Sequence, residues 1–313
     1  MEEQILRFYL KVFSYLLIPI LYFIYIFFIK EIVLKNEYLI VKKFDSFENI
    51  IDQNIKDYPH NIFFYKNILR LILINKKTIH YGKFELNNRQ NFFELVRTIL
   101  SPSNYLDRIS IIEGWSKNDL NEILSKKFTK FDEIEYSEII ADTYMFNEGS
   151  SFRIFKYKLE NSFLKLKEKY QNHSLLNKFS FKEIMIIGSL LEKEGIDYND
   201  KKKIFSVIIN RLNKKMKLQI DATVIYSITR NNLKLDRNLN YDDLKIKDPF
   251  NTYVNFGLPP EPISYVGYKT IELIFENYKT DYLFYFYNAD KKEHIFTKNY
   301  KNHLKKLNEY RSK

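Results

Sequence analysis

No cysteine occurs in the 313 residues, and this absence excludes a great deal. Without thiols there is no disulfide framework, no thiolate metal site and no Cys nucleophile, and the chain can stand in an oxidising compartment unharmed. Histidine is scarce. His60, His80, His173, His294 and His303 are scattered, with no His-x-x-x-His pair, so neither a metal centre nor any other cofactor is expected. Internal repeats, low-complexity linkers and long Lys/Arg blocks are also missing. Acidic residues are the minority: 50 Lys+Arg face 39 Asp+Glu, for a formal charge of +11. Such an excess suits nucleic acid, an anionic membrane surface or an acidic polymer. The lysines are dispersed among abundant Asn, Ile and Tyr, as an AT-rich coding bias would leave them, and no nucleic-acid partner is expected.

With 45% hydrophobic residues the chain should fold, and its length allows one large domain or two smaller ones. From Val12 to Ile29 it is apolar except for Ser14 and a few Tyr, between Lys11 and Lys30. As a helix these positions would extend about 27 Å, close to the ~30 Å of a bilayer's hydrocarbon core. No Ala-x-Ala-like site follows, as a cleaved signal peptide would need. A buried core helix is the other alternative, but aromatic and aliphatic residues lie on every face. We read a single transmembrane helix over 12–29, with Pro19 tolerable in lipid and residues 1–11 as a short cytoplasmic N-terminus. Arg7 and Lys11 before the span nearly balance Lys30 and Lys35 after it, so charge alone leaves the orientation open.

Residues 36–127 read as a small α+β unit. It has short strands at Tyr38–Val41, Ile79–Phe84 and Ile109–Ile112, and helices at Ile62–Ile74 and Asn91–Leu100. A further helix, capped by Ser116, runs to Lys126. Residues 128–313 read as a larger mixed α+β domain. Ser180-Phe181-Lys182-Glu183 is a capping-box sequence and Gly195 a natural stop, which frames a helix apolar on nearly every side.

That helix ends in Leu191-Glu192-Lys193-Glu194-Gly195. A carboxyl group in apolar surroundings is driven toward its protonated form and becomes a general acid. At 3.6 residues per turn Glu192 shares a face with Phe181, Met185, Gly188 and Ser189, where small residues would let a ligand approach. Glu194 falls on the opposite side, near Ile187 and Leu190. The plainer alternative makes one Glu a solvated end-of-helix residue and the other a member of a structural ion pair. Gln219, Asp221 and Thr223 alternate with Ile220, Ala222 and Val224, the period of a strand whose polar face could hydrogen-bond a sugar. Phe250-Asn251-Thr252-Tyr253 and Gly257-Leu258-Pro259-Pro260 belong to a Pro-fixed loop that could shape a groove or simply turn the chain. The aromatic strand Tyr282–Tyr287 reads first as core.

Taken in order, Glu192-Lys193-Glu194, Asn210-Arg211-Leu212, Leu218-Gln219-x-Asp221-x-Thr223-Val224-Ile225-Tyr226, Asn251-Thr252-Tyr253, Gly257-Leu258-Pro259-Pro260 and His294-x-Phe296-Thr297 closely resemble the endolytic murein transglycosylases, the YceG-like family. Gly82-Lys83-Phe84, Ile112-Glu113-Gly114 and Asp142-Thr143-Tyr144 match its upstream pattern. Departures are Ala222, where the family usually has Pro, Glu261, where it usually has Gly, and the lack of a Pro before Asp142.

The resemblance implies a membrane-anchored enzyme with a small LysM-like subdomain and a catalytic domain facing the cell wall. It implies Glu192 as catalytic acid, then base, and peptidoglycan glycan strands as substrate, cut to give 1,6-anhydro-muramyl ends. Gln219, Asp221, Thr223, Asn251 and Tyr253 are the candidates for holding the sugar, and proteins of wall synthesis are candidate partners. Two other readings stay open: a hydrolase in which Asp221 activates water opposite Glu192, and a non-catalytic wall-binding scaffold.

Overall fold

A computed structural model of the chain describes residues 2–42, 45–57, 67, 79–86 and 90–312. The helix expected at Ile62–Ile74 lies outside the described residues, Asn67 excepted. The chain divides into two compact units, residues 1–107 with 145–150, and residues 108–144 with 151–313. The expected boundary at 127/128 thus falls inside the second unit.

The first unit begins with helix α1 (Glu2–Ile24), continued by a π-turn over Tyr25–Ile29. The stretch expected to span a membrane is therefore helical. Among the described residues, however, no helix is long and apolar enough to cross one. Part of the apolar run is used in the fold: Ile26 and Phe27 are buried in the core of this unit, beside Leu39, Val41, Ile50, Phe84, Phe92 and Leu95.

Strands β1 (Glu31–Leu34), β2 (Tyr38–Val41), β3 (Ile55–Asp57), β4 (Gly82–Glu85) and β5 (Gln90–Asn91) form two small antiparallel sheets, ordered β3-β1-β5 and β2-β4. In the second sheet Tyr38 faces Glu85 and Val41 faces Gly82. Helix α2 (Phe47–Asn54) ends at buried Asn54, whose amide donates to the carbonyls of Ile40 and Ile50 and accepts from the Ile40 N–H. One side chain thereby ties the helix end to β2. Helix α3 (Phe92–Ile99) starts where the sequence signals it, with Asn91 capping Glu94. The chain passes between units along β6 (Leu106–Ser110) and β7 (Thr143–Asn147), a paired ribbon.

In the second unit α4 (Lys117–Lys127) opens on the Ser116/Asp119 capping box, and α5 (Phe152–Tyr170) buries Phe155, Leu159 and Leu166 along one face. The central helix α6 (Phe181–Glu194) opens on the Ser180/Glu183 capping box and is buried from Ile184 to Leu191. It packs against α7 (Tyr198–Asn213) and α9 (Tyr268–Phe275). Gly195 ends it in an extended conformation, φ −84° and ψ 140°, so a left-handed turn is not the reason for glycine there. The reason is proximity: a Cβ at Gly195 would lie 2.2 Å from Lys201 Cγ.

Helix α8 (Asp221–Thr229) occupies the stretch expected to be a strand. Two-residue alternation over six positions does not outweigh an Asp in a helical first turn, where the helix dipole favours it. The unit closes with the antiparallel hairpin β8 (Phe284–Asn288) and β9 (Glu293–Thr297), then α10 (Tyr300–Arg311).

Candidate active site

The two carboxylates at the end of α6 face different surroundings. Beside Glu192 an extended segment, residues 263–267, lies along the helix. The Ile263 N–H donates to Ser189 Oγ at 3.0 Å, the Ser264 hydroxyl donates to the Ser189 carbonyl at 3.2 Å, and the Gly267 N–H donates to Glu192 Oε1 at 3.0 Å. A Cβ at Gly188 would lie 2.6 Å from Val266 Cγ1. The small residues on this face therefore admit a neighbouring backbone, and the room expected for a ligand beside Glu192 is filled by protein. Glu192 is completed by Lys201, whose ammonium donates to Oε2 at 2.5 Å and to Thr270 Oγ1 at 3.1 Å. The Glu192 side chain is 2% exposed and that of Lys201 17%. This is a buried ion pair joining α6, α7 and α9.

Glu194 was expected on the opposite side, near Ile187 and Leu190, with no polar partner named. Its carboxylate instead accepts the Tyr285 hydroxyl of β8 at 3.0 Å and the Ala222 N–H from the first turn of α8. Burial pushes its pKa above the ordinary glutamate range. Nearby Asp221 adds to the push, while the Tyr285 hydroxyl, His294 and the Ala222 N–H oppose it. Burial and Glu194 together drive the Tyr285 hydroxyl far above its usual range, so it stays a donor. Asp221 is exposed at the helix start and accepts the Tyr253 hydroxyl. His294 is held by Asp200 at 2.8 Å and stands perpendicular to the Tyr285 ring, with centroids 5.3 Å apart.

Asp221 and Tyr253, of the five sugar-binding candidates, join Glu194 in one cluster. Thr223 and Asn251 do not present polar groups to a ligand. Both are 0% exposed. Thr223 Oγ1 bonds the Ile220 carbonyl, the Thr252 hydroxyl and the Thr252 N–H, which closes the turn before α8. The Asn251 amide donates to the carbonyls of Leu244 and Ile246 and accepts the Tyr253 N–H, fixing the loop that carries Tyr253. Gln219 is exposed in a left-handed conformation, φ 52°, with its N–H on the Thr252 carbonyl, and it does not share a strand face with Asp221. Arg211 is a brace: it donates to the Leu283 carbonyl at 2.7 Å and the Leu218 carbonyl at 2.6 Å, tying the loop before α8 to β8.

Sequence reasoning missed Tyr285, Lys201 and the Asp200–His294 pair. Tyr285 left one signal: a tyrosine in a core-like aromatic strand needs a partner for its hydroxyl.

The YceG-like family profile matches residues 41–309. The chain belongs to the YceG-like family. An endolytic murein transglycosylase of Bacillus subtilis (strain 168) is 42% identical over 143 residues, 46% of this chain and 38% of that protein. One from Streptococcus pneumoniae (strain D39) is 31% identical over 130 residues, 41% of this chain and 23% of that protein. The match thus spans less than half the length of these curated relatives. A crystal structure of a YceG-like protein from Listeria monocytogenes superposes with a TM-score of 0.54 at 22% identity, covering 86% of this chain and 98% of that one. The fold is shared along nearly its whole length.

Proposed function

We propose that this YceG-like protein is an endolytic peptidoglycan lytic transglycosylase, with Glu194 rather than Glu192 as its general acid and base. The observation that carries the assignment is the contrast at the end of α6. Glu192 is locked by Lys201 and the Gly267 N–H, whereas Glu194 holds a carboxyl whose pKa is raised by burial beside Asp221 and Tyr285. Named relatives that act on murein support the substrate class.

In this reading protonated Glu194 gives its proton to the oxygen linking N-acetylmuramic acid to N-acetylglucosamine. The C1–O bond breaks with its electron pair on the leaving oxygen. The muramyl 6-hydroxyl then closes on C1 and returns its proton to Glu194, leaving a 1,6-anhydro end and the acid restored. Asp221, oriented by the Tyr253 hydroxyl, stands where it can stabilise positive charge at C1. Its exposure also favours a second reading, in which it activates water and the products are hydrolytic.

Mass spectrometry of muropeptides released by the full chain separates the readings. Anhydro ends support the lyase, reducing muramyl ends the hydrolase, and no release a binding scaffold. The same proposal places residues 12–29 of α1 and the turn after it in the cytoplasmic membrane, the LysM-like residues 36–127 and the catalytic residues 128–313 outside it, and wall-synthesis proteins nearby. An inactive C-terminal alkaline phosphatase fusion in cells would overturn that topology.

A further inference from the structure

Two loops run side by side next to the Glu194 cluster. The Gln219 N–H donates to the Thr252 carbonyl at 3.1 Å, the Ile220 N–H to Thr252 Oγ1 at 2.9 Å, and the Tyr253 hydroxyl reaches Asp221. Farther along the same pair of loops, the Lys217 ammonium lies 5.2 Å from the centroid of the Phe256 ring. Phe256 is 66% exposed. The two loops that carry Lys217 and Phe256 are anchored close by. Asn251 and Thr252 are buried, the Asn255 amide donates to the carbonyls of Asp248 and Asn251, and Arg211 holds the carbonyls of Lys217 and Leu218. Lys217 has no acidic partner among the described residues. Just past Phe256, Gly257 to Pro260 line a cavity of about 500 Å³ together with Lys178, Glu183 and Lys182, the last ion-paired with Glu261.

An exposed aromatic ring with an ammonium over one face leaves its other face as a platform for a sugar ring that bears a carboxylate. The ring stacks its C–H face on the aromatic while the cation takes the acid. We propose that Phe256 and Lys217 form a binding subsite for a carboxylate-bearing amino sugar of the glycan strand, adjoining the one bound at Glu194. The cavity beyond gives the polymer room to continue. This inference rests on the peptidoglycan reading and deepens it.

The test uses the full chain carrying Glu194→Gln, which binds without cleaving, and titrates two ligands by calorimetry: soluble murein strands stripped of peptide by an amidase, which frees the lactyl acid, and neutral N-acetylglucosamine oligomers. Adding Phe256→Ala should weaken both about ten-fold, as loss of an aromatic anchor does. Adding Lys217→Gln should weaken the strands about three- to five-fold, flatten their salt dependence, and leave the neutral oligomers unchanged. Strands that keep their peptides hold the lactyl carboxyl in amide linkage, so the Lys217 effect should shrink on them, and an effect found only with peptide-bearing strands overturns the assignment to the sugar. Wild-type binding by both variants overturns the subsite, as does an equal loss for charged and neutral ligands with Lys217→Gln. Cleavage by the wild-type chain is followed separately. An active enzyme with unaffected variants removes only the subsite, and a chain that neither binds nor cleaves strands removes the parent reading as well.

Discussion

Glu192 and Glu194 are two residues apart on one helix, yet their carboxylates stand in different surroundings. Around Glu192 both carboxylate oxygens are taken up by the protein, one by the Lys201 ammonium and one by the Gly267 N–H. Around Glu194 burial and Asp221 favour the neutral form, against the hydrogen bonds of Tyr285 and Ala222. A satisfied buried carboxylate holds helices together, whereas a strained one is poised to give up a proton. The comparison shows that burial alone does not set a carboxylate's surroundings, and that the groups aimed at its oxygens differ even two residues apart.

Removing one member of the Glu192 pair should have the largest effect on stability. Lys201→Met leaves a buried carboxylate without its cation, and such losses cost about 3–5 kcal/mol. Thermal and urea unfolding should show it, and if stability changed by less than ~1 kcal/mol the structural role of the pair would be refuted. Gly188→Ala comes next. The added methyl meets Val266 at 2.6 Å, and overpacking of this kind costs about 1–3 kcal/mol. Unchanged stability would show that the 263–267 segment can shift away from α6.

Glu194→Gln should do the reverse and stabilise the fold modestly, on the order of 1 kcal/mol, as relief of active-site strain commonly does. The sign follows from linkage. The folded-state pKa of Glu194 lies above its unfolded value, so the folded state binds the extra proton and stability falls as pH rises through that interval. The advantage of the glutamine variant should therefore be present at neutral pH and vanish once both states are protonated at low pH. A variant less stable at neutral pH would contradict the strain.

Tyr285→Phe and Ala222→Pro each remove one donor to the Glu194 carboxylate. Both should move the upper limb of the kcat/KM profile toward higher pH, with little change in unfolding. A shift toward lower pH would reverse the assigned direction.

Local signals in the sequence were legible because capping is a short-range interaction. Ser116, Ser180 and Asn91 start helices where expected, and the burial of α6 follows from its all-round apolar pattern. The environment of the carboxylates was not legible, since it is built from distant parts of the chain. Tyr285 is 91 positions from Glu194, and the segment against Glu192 lies some 75 away. Small residues such as Gly188 mark close approach without saying whether a ligand or another part of the chain approaches. Thr223 and Asn251 look like sugar ligands by type, but polar side chains next to tight turns are as often needed to satisfy the backbone.

The most direct test is the rate of muropeptide release by Glu192→Gln and Glu194→Gln, each shown to be folded by circular dichroism and by its unfolding midpoint. Loss of a general acid and base costs about 10²–10⁴ in rate. The prediction is a loss of that size in the Glu194 variant alone, with the folded Glu192 variant turning over at a rate comparable to wild type. A folded Glu194→Gln protein that cleaves at the wild-type rate, while Glu192→Gln is folded and silent, would contradict it.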